Sequence, residues 1–161
     1  MMIKSFEEIL EEKGTLCYTS VGTSMLPLIR EGKDIIVIRK RTGERLRKYD
    51  VAFFVRPGIT GRGRYVLHRV LRVNPDGSYW IAGDNCTGGE TVREENVIGV
   101  LSKVVRDGRT ITDGNWYRLY VLVWCACRPV RFIIPRLNVY CRKARRMAAR
   151  MLRFKRTDES R

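Results

Sequence analysis

The chain has 161 residues and a mass of 18.8 kDa, room for one ordinary domain and an extension. With 44% apolar and 30% charged residues it can bury a core, which excludes a wholly disordered chain and a bundle of membrane-spanning helices. Lys and Arg number 32 against 17 Asp and Glu, a net +15, which points to phosphate-bearing surfaces, lipid or nucleic acid, and says little about fold.

Ser5-Phe6-Glu7-Glu8 fits a capping box, Ile3, Phe6, Ile9 and Leu10 fall on one stripe, and Gly14 follows as a stop, so residues 5–13 are predicted to form a short amphipathic helix. The opening residues lack the apolar run of about 7 to 15 residues of a secretory signal, and no N-terminal anchor is expected. Up to about residue 113 the pattern is that of strands. Apolar runs at Ile35 to Ile38, Val51 to Val55, Tyr65 to Val73, Tyr79 to Ala82 and Val97 to Val105 are separated by turn clusters such as Asn74-Pro75-Asp76-Gly77. Alternation along the third run puts Val66, His68 and Val70 on one face and Leu67, Arg69 and Leu71 on the other.

From Trp116 the composition shifts to an apolar segment, Leu119 to Cys127, followed by Arg128-Pro129 and then Val130 to Pro135. A spanning helix needs about 20 apolar residues, so this interrupted stretch is a poor simple span. Residues 136–156 hold nine basic residues and no acidic one. At 100° per residue Leu137, Tyr140, Ala144, Met147, Ala148, Met151 and Leu152 share one face and arginines the other, the layout of a helix lying in a membrane interface. The organisation expected is a helix over 1–14, a β-rich domain over 15–115 and a membrane-associating segment over 116–161. The five cysteines (Cys17, Cys86, Cys125, Cys127, Cys141) have no CxxC spacing and the chain has one histidine. Neither a closed metal site nor a disulfide framework is expected, and no cofactor is implied.

Four short boxes occur in order: Gly22-Thr23-Ser24-Met25-Leu26-Pro27, Tyr65-Val66-Leu67-His68-Arg69, Gly83-Asp84-Asn85 and Ile98-Gly99. Together they resemble the signal peptidase I family, over about residues 20–105. The family's Ser-Met-x-Pro box, base-bearing strand followed by Arg, Gly-Asp-Asn box and closing Ile-Gly strand all have counterparts. The resemblance implies a mainly β, signal-peptidase-like core, here with a short N-terminal helix and a C-terminal hydrophobic segment plus basic amphipathic helix. It implies a serine endopeptidase that removes signal or leader peptides after small residues. Ser24 would be the nucleophile and His68 the base, matching the branch in which histidine replaces the bacterial lysine. A neutral imidazole accepts a serine proton at neutral pH without the deep burial a lysine needs.

Asp84 is the expected third member, and Glu90 stands where that branch places a second acid, so the orienting acid is open between them. Met25 and Pro27 are expected to shape the nucleophile turn and line a small substrate pocket, and Arg69 to pin a carboxylate or carbonyl. The oxyanion hole is expected to use the Ser24 backbone amide, with Thr23 hydroxyl assistance. Two positions depart from the family pattern: Gly22 replaces a serine frequent in the bacterial branch, and Tyr49-Asp50 replaces Gly-Asp. The implied partners are a precursor or leader peptide and an anionic membrane surface contacted through residues 119–156. The protein is thus expected at a membrane, on a side left open. A rival reading, from the charge and the family's kinship with self-cleaving repressors, is a nucleic-acid-binding or regulatory protein.

Overall fold

A computed structural model describes residues 5–19, 21–58, 63–131 and 133. The protein is mainly β, with one curled antiparallel sheet of eight strands and a few helices. Helix α1 (Phe6–Lys13) begins with the predicted capping box: Ser5 Oγ accepts from the Glu8 amide, Glu8 reaches back to the Ser5 amide, and Gly14 closes the helix at φ +67°. The strands are β1 (Thr15–Thr19), β2 (Ile35–Lys40), β3 (Val51–Arg56), β4 (Arg64–Val73), β5 (Tyr79–Ala82), β6 (Glu90–Val92), β7 (Val97–Arg106) and β8 (Arg109–Thr110). A 3-10 turn at Glu94–Asn96 leads into β7, and α2 (Gly114–Ala126) follows β8.

The sheet order is β1-β2-β7-β3-β4-β5-β6, with β8 paired to β7. Strand β3 lies between β7 and β4 and its first four residues are all buried, because both faces of the curled sheet are covered. Val51 and Phe53 enter one core with Leu16, Ile36, Ile38 and Leu67. Ala52 and Phe54 enter a second with Val70, Tyr79, Ile81 and Val100. The period-2 alternation of β4 divides its residues between the same two cores, Leu67 to the first and Val70 to the second.

The five apolar runs of the sequence correspond to β2, β3, β4, β5 and β7. Strands β1, β6 and β8 carry no comparable run, since short edge strands need little apolar surface. Residues 116–125, grouped in the sequence with the membrane-associating segment, belong with the β core. One compact unit runs through Cys125, Val121 of α2 is buried, and Tyr117 and Tyr120 pack on the first core. The second unit starts at Ala126, where the Arg131 amide donates to the Cys127 carbonyl in a helical bond. No helix among the described residues is long and apolar enough to cross a membrane. The amphipathic helix expected over 136–156 lies outside the described residues.

Gly99, in the closing Ile-Gly box, has a packing explanation. It pairs with Lys40 of β2 and Phe53 of β3, and a Cβ there would lie 2.6 Å from Ile38 Cγ2 and 3.0 Å from the Arg39 carbonyl oxygen. Gly99→Ala should therefore destabilise the protein by about 2 kcal/mol through overpacking. Denaturant unfolding measures this, and an unchanged midpoint would refute the close approach.

Candidate active site

Residues 21–34 form an irregular loop between β1 and β2, and Ser24 sits near its start, half-buried. Gly22 takes φ +109°, a region that disfavours any side chain, so a serine at this position would be strained. Met25 is buried beneath the turn, where its carbonyl accepts from the Ile29 amide at 3.0 Å.

The loop is fastened at both ends by arginine–aspartate pairs. At the far end Asp34, fully buried, accepts from Arg106 Nε at 2.8 Å and Nη2 at 2.6 Å, and from the Arg30 amide at 2.8 Å. Arg106 also donates to the Leu28 carbonyl at 3.0 Å. The Arg106 hydrogen bonds hold the Asp34 carboxyl below the usual aspartate range against the opposing effect of its burial.

At the near end the Gly83-Asp84-Asn85 turn does the fastening. The Asn85 amide donates to the Ser24 carbonyl at 2.8 Å, and Asn85 Nδ2 to the Thr23 carbonyl at 3.3 Å. A Cβ at position 83 would lie 2.6 Å from that Ser24 oxygen, 2.7 Å from Cys86 Sγ and 3.1 Å from His68 Nε2. Glycine is required there because the backbone of Ser24 and the imidazole close on it from two sides. Asp84 anchors the turn: its carboxylate receives Arg69 Nε and Nη2, both at 2.7 Å, with Arg69 0% and Asp84 2% exposed. Arg69 Nη1 donates to the Tyr49 carbonyl at 3.0 Å and contacts Tyr117 Oη at 3.4 Å. Burial alone would weaken Arg69's hold on its proton, but the Asp84 hydrogen bonds and charge reverse this, and the net direction is up. From α2, Tyr120 Oη donates to Asp84 Oδ2 and Trp124 Nε1 to the Asp84 carbonyl, each at 3.3 Å.

His68 precedes Arg69 on β4 and so faces the other side of the sheet. It is 8% exposed, pairs across the strands with Ala52, and meets the Phe54 ring edge-on at 6.2 Å. Its Nδ1 is buried without a hydrogen-bond partner, and Glu90 Oε1 stands 3.6 Å away, an ion-pair distance beyond hydrogen-bond reach. Glu90 is held in turn by Arg56, whose Nε donates at 2.7 Å and whose Nη2 donates to the other oxygen. Burial lowers the His68 pKa below its ordinary 6.5. Glu90 opposes that shift, while Arg56 adds to it.

Ser24 and His68 line one cleft of about 620 Å³ together with Thr23, Met25, Arg56 and Cys86. Its far wall is aromatic: Phe6 of α1, Tyr18, Phe53 and Tyr65 make five ring contacts with centroids 4.7–6.0 Å apart. Among the residues expected at the site, the structure brings Ser24, Met25 and His68 to this cleft and Glu90 behind the imidazole. Asp84 lies behind the Ser24 turn with its carboxylate on Arg69. Pro27 is exposed and outside the cleft lining. The sequence reading did not single out Arg56, Asn85, the Asp34–Arg106 pair or the α2 contacts. Asn85 stood inside a recognised box, whereas Arg56 meets Glu90 only through strand pairing and carries no local signal.

Comparison with protein-family models, with curated proteins and with solved structures finds no match to this chain.

The Arg69–Asp84 pair yields a stability prediction. Arg69→Met leaves the Asp84 charge buried without its cation and should cost about 3–5 kcal/mol, while Arg69→Met with Asp84→Leu should recover most of that loss. Unfolding of the two variants checks it. Equal losses would mean that the charge pair is not what holds the turn.

Proposed function

We propose that the protein is a serine endopeptidase of the signal peptidase I type, in the branch with a histidine base, acting on a signal or leader peptide after a small residue. The observation that carries this reading is that the Gly-Asp-Asn turn fastens the Ser24 backbone beside His68 Nε2, in a cleft that both side chains line. Three of the four boxes, those of Ser24, His68 and Gly83-Asp84-Asn85, thereby acquire a common purpose.

In this mechanism His68 Nε2 takes the Ser24 proton as Oγ attacks the scissile carbonyl, forming an ester to the amino-terminal fragment. The same nitrogen then protonates the leaving amine, and water, deprotonated at Nε2, hydrolyses the ester. The Ser24 amide, with the Thr23 hydroxyl, would donate to the oxyanion. We assign the orienting acid to Glu90 rather than Asp84. Each carboxylate is engaged by an arginine through both oxygens, but Glu90 also faces the buried Nδ1, whose proton would leave Nε2 free as the acceptor. A gap of 3.6 Å suits a pair that tightens on substrate binding. Strand geometry offers a way to hold the peptide. One edge of β4 pairs with β3 from Arg64 onward, but β5 takes up the other edge only from Arg69. Among the described residues, 64–68 thus keep an open edge beside the cleft, where an extended chain can add.

Cleavage of an internally quenched peptide with alanine before the scissile bond tests the assignment. Ser24→Ala should abolish turnover, and His68→Ala should leave only a residual of about 10³ to 10⁴ over water. Rates should fall as the pH drops through a midpoint below 6.5, because the buried base must be neutral to accept a proton. A rise centred near 9 would point to a lysine base and reject His68.

The two carboxylates separate in a second experiment. Glu90→Gln should lower turnover and move the acid limb further down, because an anion that favours the imidazolium is lost. Arg56→Gln should move it up, since the removed cation opposes the imidazolium. A limb that stays in place in both variants would return the orienting role to Asp84.

A further inference from the structure

The cleft extends beyond its reacting end. From Ser24 and His68 it continues along β4 to Tyr65, where Phe6 of α1, Tyr18 of β1 and Phe53 of β3 gather. These rings are in contact. Phe6 lies 4.7 Å from Tyr65, Phe53 stacks on Tyr65 at 5.8 Å, and Tyr18 meets Phe6 at 5.6 Å and Phe53 at 5.7 Å. Glu7, the neighbour of Phe6, accepts a hydrogen bond from Tyr65 Oη, which holds that ring against α1. Phe53 is buried, Phe6 and Tyr18 are half-buried, and Tyr65 stays 39% exposed beside the cleft. An aromatic cluster that leaves one ring partly open at the end of a cleft is suited to receive another ring.

Strand geometry sets which residue of a bound chain arrives there. Residues 64–68 keep an open edge among the described residues, and a peptide added to it turns its side chains to the same faces as the β4 residues opposite them. Leu67 and Tyr65, two residues apart, share one face: Leu67 belongs to the first core with Met25, and Tyr65 meets Phe53 and Phe6. Consider a chain parallel to β4 with its small residue at Met25 and Leu67 and that residue's carbonyl toward Ser24. Its third residue before the scissile bond then comes to Tyr65, about 7 Å upstream. The acyl fragment is the part that stays joined to Ser24 until water arrives, so a subsite on this side serves both steps. An alanine there leaves the Tyr65 ring uncovered, whereas a phenylalanine or tyrosine buries against it.

Resting on the peptidase reading above, we propose that Phe6, Tyr18 and Tyr65 form a subsite for an aromatic side chain at the third residue before the scissile bond. The substrate class is a peptide that carries a large ring two positions ahead of its small residue. Phe6 and Tyr18 lie outside the span of about residues 20–105 that carries the family resemblance, so this preference is a property of the chain's own first helix and first strand.

The test gives the full chain internally quenched peptides that share alanine before the scissile bond and carry either phenylalanine or alanine third before it. The phenylalanine peptide should have a kcat/KM about tenfold or more higher. Moving the phenylalanine to the second residue after the bond should remove that advantage, and a retained advantage would overturn the placement. Phe6→Leu, which keeps apolar volume and takes away one ring, should cut the ratio between the first two peptides by about threefold or more. An unchanged ratio would overturn the part given to α1, and the comparison of peptides on the wild-type protein stands whether or not the variant folds. Anisotropy of the same peptides, labelled with a fluorophore and bound to the Ser24→Ala variant, separates this proposal from the chemistry. Tighter binding of the phenylalanine peptide without turnover in the wild type would keep the subsite and reject the peptidase. Binding indifferent to the third residue would overturn the subsite, and turnover seen alongside it would leave the peptidase standing.

Discussion

The buried ion pair between Arg69 and Asp84 is the constraint on which the rest of the site depends. Two charges removed from water are costly, and they are tolerated here because the guanidinium and carboxylate meet through two parallel bonds of 2.7 Å while the remaining donors reach a carbonyl and a tyrosine. That geometry fixes the turn at residues 83–86, and the turn fixes Ser24 through the Asn85 amide. Because His68 is the chain neighbour of Arg69, the strand that supplies the anchor also supplies the imidazole. Alternation along β4 sends one residue to the clamp and the next to the cleft. The second pair, Asp34 with Arg106, holds the other end of the same loop. Ser24, on an irregular segment, is in this way given the rigidity of the sheet.

The electrostatics divide the two acids between two tasks. Asp84 neutralises a buried arginine and keeps a turn in place. Glu90 lies against the imidazole, tempered by Arg56, so that burial still dominates and holds the His68 pKa below its ordinary value. A stronger, unshared carboxylate at Nδ1 would raise the imidazole pKa toward protonation in the free protein. The arginine therefore acts on the imidazole as well as binding the carboxylate.

Much of this was legible in the sequence, and the reasons differ by element. The capping box of α1 and the apolar runs of β2, β3, β4, β5 and β7 are local signals, written in residues close together, and they appear where local chemistry puts them. The order of the four boxes pointed to Ser24 and His68, and Gly83 has a direct steric reason for being glycine. Arg69 was expected to pin a carboxylate or carbonyl and does both, but that the carboxylate is Asp84 was not legible, because it depends on how β5 and its following turn fold back across β4. Arg56 meets Glu90 only through the pairing of strands 34 residues apart. The contacts of α2 were not legible for a simpler reason: nothing local reveals that Tyr120 and Trp124 reach a buried aspartate. Tyr49 takes a φ of +81°, where glycine is at ease, and its carbonyl is tied to Arg69.

The most direct measurement of the central claim, that Ser24 and His68 form one hydrolytic pair, is covalent labelling with a serine-directed fluorophosphonate, read by intact mass and peptide mapping. A single adduct on Ser24 is expected, formed faster as the pH rises through a midpoint below 6.5 and lost in the His68→Ala variant. Absence of an adduct on Ser24, or labelling of Ser24 at an undiminished rate without His68, would contradict the pairing.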